Sequence, residues 1–219
     1  MSKVEGTLSK IGFDNRGYCL VSPDESWVYI PITKNASSFT EYILKHKCDW
    51  RESNFIAESK LTEKKILVVL RDPLDRWMTG VVEHFDRKNS INSGVRLDNE
   101  HLLYYVFNQG ALDEHSELQV NFLKGIEMGN CTFIKLEDNY TNLFQSFLKQ
   151  NLVQKFSLWN RDYSSQYNDS ASRPVKRVLL SYIKKYYNDN MKAQNNINIY
   201  LKPDVDFMSG LEFYNETRV

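Results

Sequence analysis

Glycine and proline are scarce in this chain, 9 and 5 among 219 residues. Their scarcity excludes collagen-like and low-complexity architectures. Cysteine is scarcer still. Cys19, Cys48 and Cys131 are odd in number, and their spacing fits neither a CxxC motif nor a zinc site. Three reduced thiols in a reducing compartment are therefore expected, with no metal. Charge of one sign is missing too: 28 Lys and Arg balance 28 Asp and Glu. A neutral chain has no global basic field for DNA or RNA and no acidic tail, so an anionic ligand has to be held by a local cluster. No window approaches the ~18 uninterrupted apolar residues of a membrane span, and Met1 to Gly6 lack the apolar core of a signal peptide. The expectation is a soluble cytoplasmic protein with neither nucleic acid nor membrane as partner.

What is present is the mixture of a globular protein, 42% hydrophobic and 26% charged. At about 100–200 residues per domain, residues 1–219 form a single expected domain. Residues 1–24 read as an N-terminal hairpin: Leu8 to Phe13 and Tyr18 to Val21 flank the turn-rich Asp14-Asn15-Arg16-Gly17. Trp27 to Pro31 is a short buried strand, and Ser37 to Lys47 has helical spacing. Lys65 to Leu70 is continuously apolar after its lysine and β-branched, as a parallel strand covered on both faces should be. Asp72 and Pro73 suit the N-cap and first turn of a helix running to about Phe85. Helices are expected over His101 to Phe107 and Glu117 to Leu123, and a third core strand over Cys131 to Leu136. A helix through Phe144 and Leu148 follows, then an amphipathic helix over Val175 to Tyr187. Strands alternating with helices predict an α/β fold with a central, mainly parallel sheet flanked by helices. Ligands of such folds bind at the carboxyl ends of the strands.

Two such ends carry chemistry. After the first core strand comes Ile32-Thr33-Lys34-Asn35-Ala36-Ser37-Ser38. Small residues at a helix N-terminus, with a lysine and two hydroxyls, are suited to cradle a phosphate. The same segment also reads as an ordinary helix cap by Ser37 or Ser38, with Lys34 in solvent. GxxxxGK[ST] is absent, so this is not a Walker A loop. After the second core strand comes Arg71-Asp72-Pro73-Leu74-Asp75-Arg76-Trp77-Met78-Thr79. Arg71 at the strand end and Thr79 two turns on can grip a second phosphate. Arg76 reads instead as a structural partner of Asp72 and Asp75.

Together the segments resemble the sulfotransferases that use 3′-phosphoadenosine 5′-phosphosulfate (PAPS), most of all the carbohydrate sulfotransferases. Pro31-x-x-Lys34-Asn35-Ala36-Ser37-Ser38-Phe39 looks like their 5′-phosphosulfate loop. Leu70-Arg71-Asp72-Pro73-x-x-Arg76-x-x-Thr79 looks like their 3′-phosphate motif, with Thr79 where serine is usual. His115-Ser116-Glu117-Leu118-Gln119 resembles a His-x-x-Pro-Gln segment, Leu118 replacing the proline, and Phe133 to Glu137 resembles the strand that follows. The likeness runs in order through residues 27–137 and thins to Trp159-Asn160 and the Val175–Tyr187 helix.

The resemblance implies a P-loop-like fold and a nucleotide-binding transferase that needs no metal. It would move a sulfuryl group from PAPS as co-substrate to a hydroxyl or amine of an acceptor, a saccharide or small molecule. Lys34 would neutralise the bridging oxygen, and the amides of Asn35, Ala36, Ser37 and Ser38 would hold the 5′-phosphate. Arg71 and Thr79 would hold the 3′-phosphate, with Arg173 or Lys176 folding over the nucleotide; both also read as charges on a solvated helix start. As general base, His115 ranks ahead of His84, with Glu58 a further candidate; His46 and His101 have no such setting. Two other functions fit the same loops: a PAPS- or nucleotide-binding module without activity, and a P-loop nucleotide kinase.

Overall fold

The computed structural model describes residues 3–12, 18–53, 63–91, 100–152 and 174–215, with only the backbone path over 88–91. Among them, five strands form one sheet: β1 (Cys19–Val21), β2 (Trp27–Ile30), β3 (Arg51–Ser53), β4 (Lys65–Leu70) and β5 (Cys131–Lys135). The spatial order is β3-β1-β2-β4-β5. β4 pairs parallel with β2 and with β5, so three strand carboxyl ends lie along one side. β1 pairs antiparallel with β2 and β3, and the sheet is therefore mixed.

The apolar run of β4 is explained by what lies on either side. Side chains alternate across a strand. Leu67 and Val69 join Trp27, Tyr29 and Ile134 in one core. That core is roofed by α1 (Ser37–Lys47) and α5 (Tyr140–Asn151) through Phe39, Ile43, Phe144 and Phe147. Ile66, Val68 and Leu70 join Val28 and Ile30 in the opposite core. Five helices of the described residues supply the other side of that core: α2 (Pro73–Ile91), α3 (Glu100–Gln109), α4 (Gln119–Phe122), α6 (Pro174–Asp189) and α7 (Met191–Ser209). No helix of the described residues is long and apolar enough to cross a membrane.

The N-terminal hairpin is not formed as expected. Residues 8–12 of its first arm are not strand, Leu8 is 96% exposed, and residues 13–17 lie outside the described part. β1 turns into β2 instead, because Asp24 ties that turn. Its carboxylate accepts from the Ser22 hydroxyl (2.6 Å), the Ser26 hydroxyl (2.7 Å) and the Ser26 N–H (3.1 Å). The helix expected over Glu117 to Leu123 contracts to α4 (Gln119–Phe122). β3 and α7 have no counterpart in the expectations, and α2 runs six residues past Phe85. All three cysteines are free thiols, and burial pushes those of Cys48 and Cys131 up to about 12.

Candidate functional site

The loop from β2 to α1 makes its turns without glycine. Lys34 (φ 68°) and Ala36 (φ 54°) both occupy the left-handed region. For a residue with a side chain this conformation costs roughly 1–2 kcal/mol, and such strain gathers where a site needs a particular backbone. Ala36 stands at the N-cap position, so no side chain caps α1. Neither Ser37 nor Ser38 acts as the cap; Ser37 is half-buried and Ser38 exposed at the helix start.

Arg71 begins the loop after β4. Its Nη1 donates to the Lys34 carbonyl (3.4 Å) and to Thr79 Oγ1 (3.3 Å). The two motifs, 37 residues apart, are thus one site. Asp72 caps α2, its Oδ1 accepting from the Asp75 N–H (2.9 Å), as expected of an N-cap. Arg76 departs from its expected pairing with Asp72 and Asp75. It is buried and donates to main-chain carbonyls: Thr33 (2.9 Å from Nε), Glu114 (3.5 Å from Nη2) and Glu117. A planar five-donor fork can clip several carbonyls at once where a lysine could not. Arg76 therefore fastens the 113–117 loop to the β2–α1 loop. Burial lowers its guanidinium to about 10, which leaves it charged at neutral pH.

Gln119 is the second tie. Its Oε1 accepts from Asn35 Nδ2 (2.7 Å) and from the Arg71 N–H (3.1 Å), and its Nε2 donates to the Arg71 carbonyl (2.9 Å). Asn35 Nδ2 also donates to the Val69 carbonyl (2.8 Å). Gln119 is held in turn by Asp204 of α7. The Asp204 carboxylate accepts the N–H groups of Gln119 (2.8 Å) and Val120 (2.9 Å). Burial raises the Asp204 carboxyl despite those bonds.

Lys34 is not in solvent. Its Nζ is 2.7 Å from Glu83 Oε2, and Lys176 Nζ is 2.8 Å from the same oxygen. Lys176 is also 3.3 Å from Asp86, and Arg87 Nε is 3.1 Å from Glu83 Oε1. Three cations thus face two carboxylates, with Arg71 close by. Burial acts to raise the Glu83 carboxyl, but the bonds from Lys176 and Lys34 outweigh it and hold it at about 2. Burial lowers the Lys34 ammonium, and Glu83 offsets part of that effect. Burial likewise lowers the Arg71 guanidinium against the opposing pull of Asp75 and Asp72. Lys176 is 5% exposed and is not a solvated helix-start charge.

The histidines separate by setting. His84 lies one turn beyond Gly80 on α2, and its Nδ1 is 2.7 Å from Asp113 Oδ2. His115 is buried, its Nδ1 3.3 Å from Asp113 Oδ1 without hydrogen-bond geometry. The His115 main chain presses on Gly80, where a Cβ would come 1.9 Å from the His115 carbonyl oxygen. Thr33 Oγ1 donates to the Glu114 carbonyl (2.8 Å), so this loop adjoins the Lys34 loop. His46 and His101 are exposed on α1 and α3. Glu58, Arg173, Trp159 and Asn160 lie outside the described residues.

Sequence reading missed Glu83, Asp113 and Asp204 as members of this assembly. Glu83 carried a signal, since it sits one turn after Thr79 on the same helix face. Asp204, 85 residues from Gln119, carried none. No family model, no curated protein and no solved structure matches the chain.

Proposed function

We propose that the chain is a PAPS-dependent sulfotransferase on a P-loop-like fold, transferring a sulfuryl group to a hydroxyl or amine of an acceptor by in-line displacement. One observation carries the reading: Arg71 bonds at once to the Lys34 carbonyl and the Thr79 hydroxyl. That contact brings the loops resembling the two phosphate-binding motifs together at neighbouring strand ends. A surplus of half-buried positive charge beside a helix N-terminus suits a ligand with two separated anionic groups. Lys34 would act on the bridging oxygen as negative charge gathers there, and Arg71 with Thr79 would select the 3′-phosphate. Negative charge that grows in the transition state is stabilised by positioned donors. A saccharide as acceptor rests on the resemblance of the segments alone.

Calorimetry with 3′-phosphoadenosine 5′-phosphate, adenosine 5′-phosphosulfate and ATP–magnesium tests the reading. Preference for the first supports it; preference for ATP–magnesium supports a kinase and removes it. A binding module without activity has one observation in its favour, the Glu83 carboxylate already occupying the Lys34 ammonium. Tight nucleotide binding with no release of labelled sulfate from PAPS would identify that module.

A further inference from the structure

We propose that Glu83 is a built-in competitor for the 5′-anion subsite: its carboxylate occupies the Lys34 ammonium, and an anionic ligand binds there by exchange with it. The inference deepens the sulfuryl-transfer reading and rests on it for the identity of that ligand. Thr79 and Glu83 are four residues apart on α2 and so share one face. Thr79 receives Arg71 Nη1 (3.3 Å), which also donates to the Lys34 carbonyl (3.4 Å). One turn on, Glu83 Oε2 lies 2.7 Å from Lys34 Nζ. The helix face that meets the arginine fork therefore also brings a carboxylate to the lysine of the neighbouring loop. That carboxylate takes the position an anion held by Lys34 would need.

Lys34 and Lys176 share Glu83 Oε2 but are held unequally. Lys34 has Glu83 as its one ion-pair partner among the described residues. Lys176 of α6 has two, Glu83 (2.8 Å) and Asp86 (3.3 Å), and its side chain is almost fully buried. Glu83 Oε1 also receives Arg87 Nε (3.1 Å). When Lys34 turns to a ligand, Glu83 thus keeps two cations, and no buried charge is left unpaired, which is what makes breaking such a cluster costly. Lys34 can turn because its ammonium is a point charge on a flexible four-carbon stem. Burial would raise the Glu83 carboxyl, but the bonds from Lys176 and Lys34 hold it at about 2. Glu83 is therefore charged at neutral pH, and an anion rather than a proton has to displace it.

The exchange costs every ligand of Lys34 the same contact. An inorganic sulfate or phosphate gripped by Lys34 alone then has little binding to spare. A nucleotide that brings a second anion to Arg71 and Thr79 gains a further charge-assisted contact and keeps its hold. Glu83 thereby reserves the first loop for ligands with two separated anionic groups. The same carboxylate takes the ammonium back as 3′-phosphoadenosine 5′-phosphate leaves.

The test is calorimetry at fixed ionic strength on wild type and Glu83→Gln. The probes are 3′-phosphoadenosine 5′-phosphate, adenosine 5′-phosphosulfate and adenosine 3′-phosphate. The first two carry a 5′-anion and should bind the variant roughly 5–10-fold more tightly, the worth of one partly screened charge pair. Adenosine 3′-phosphate, which meets only Arg71 and Thr79, should bind both proteins alike. Unchanged or weaker binding of the 5′-anions would overturn the proposal. Equal tightening of adenosine 3′-phosphate would overturn it too, because removal of one negative charge from the general field would then account for the gain. Glu83→Gln can misfold, so the wild-type protein provides a second readout. A structure of its complex with 3′-phosphoadenosine 5′-phosphate should show Lys34 Nζ on the 5′-phosphate and beyond about 4 Å from Glu83, with Lys176 still paired to Glu83. Lys34 still paired to Glu83 in that complex would overturn the exchange and leave nucleotide binding intact. Failure of both proteins to bind 3′-phosphoadenosine 5′-phosphate would remove the sulfuryl-transfer reading, and this inference with it.

Discussion

The loops after β2 and β4 meet at one site but are built differently. The β2–α1 loop relies on backbone: two left-handed residues, an uncapped helix start and a lysine whose ammonium is already taken by Glu83. The β4–α2 loop relies on side chains: an arginine fork aimed at Lys34 and Thr79, with Asp72 spent on capping α2. A strongly hydrated point charge on a flexible stem can exchange one anionic partner for another. A planar fork held at two points cannot easily do so. On the sulfuryl-transfer reading proposed above, the first loop would meet the group whose charge changes, and the second the group that only has to be recognised.

The largest expected effect on stability breaks the comparison at Glu83. Glu83→Gln leaves Lys34 and Lys176 side by side, with Asp86 still opposing Lys176. Removing one partner of a partly buried ionic cluster costs less than the fully buried case, about 1–3 kcal/mol of stability after solvent screening, measurable by denaturant unfolding. The same variant should bind 3′-phosphoadenosine 5′-phosphate more tightly, since the ammonium no longer has a competing carboxylate. The pH dependence follows from the depressed carboxyl. Its stabilisation is complete above the ordinary value of 4.5 and is lost as pH falls through about 2. The difference in Tm between wild type and Glu83→Gln should therefore shrink across that window.

Next comes Lys34. Lys34→Ala should cut single-turnover sulfate release from PAPS by about 10²–10³ and change nucleotide affinity much less, because the interaction strengthens only in the transition state. Lys34→Arg should not restore the rate. Near wild-type turnover in the alanine variant would reduce Lys34 to a partner of Glu83.

The contrast between the loops was half legible in the sequence. β2, α1, β4, β5 and the Asp72 cap were read to within a residue or so, because strong periodicity and a capping residue are local signals. β3 was not, since Arg51-Glu52-Ser53 is a polar edge strand with no apolar face to announce it. α7 was not either: its asparagines and the internal Pro203 argue against a helix, and the buried Ala193, Ile197, Leu201 and Asp204 explain why it docks. The motif residues Lys34, Arg71 and Thr79 could be named from spacing. That Glu83 neutralises one loop while Gln119 and Asp204 brace both could not, since those pairs form only when distant segments fold together.

Arg71 gives the third effect. Arg71→Ala should weaken 3′-phosphoadenosine 5′-phosphate by about 1.5–3 kcal/mol, the loss of a charged hydrogen-bonded contact, and adenosine 5′-phosphosulfate far less. Equal weakening of both ligands in calorimetry would mean that the fork braces the Lys34 loop instead of reading the 3′-phosphate.

The smallest effect isolates the backbone of the first loop. Ala36 sits at φ 54°, ψ 26°, a conformation that a side chain disfavours. Ala36→Gly removes that penalty but gives the unfolded chain more freedom, worth about 0.4–1 kcal/mol in the opposite direction. The two nearly cancel, with a net gain in stability below about 1 kcal/mol expected because the left-handed cost is the larger. A β-branched residue tolerates this region worst, so Ala36→Val should lower Tm clearly and weaken 5′-phosphosulfate binding along with it. Thermal unfolding of the pair, with adenosine 5′-phosphosulfate titrated into each, separates the contributions. If valine is accepted without loss of either stability or affinity, the left-handed turn is not what shapes the first loop, and Lys34 alone must account for any anion held there.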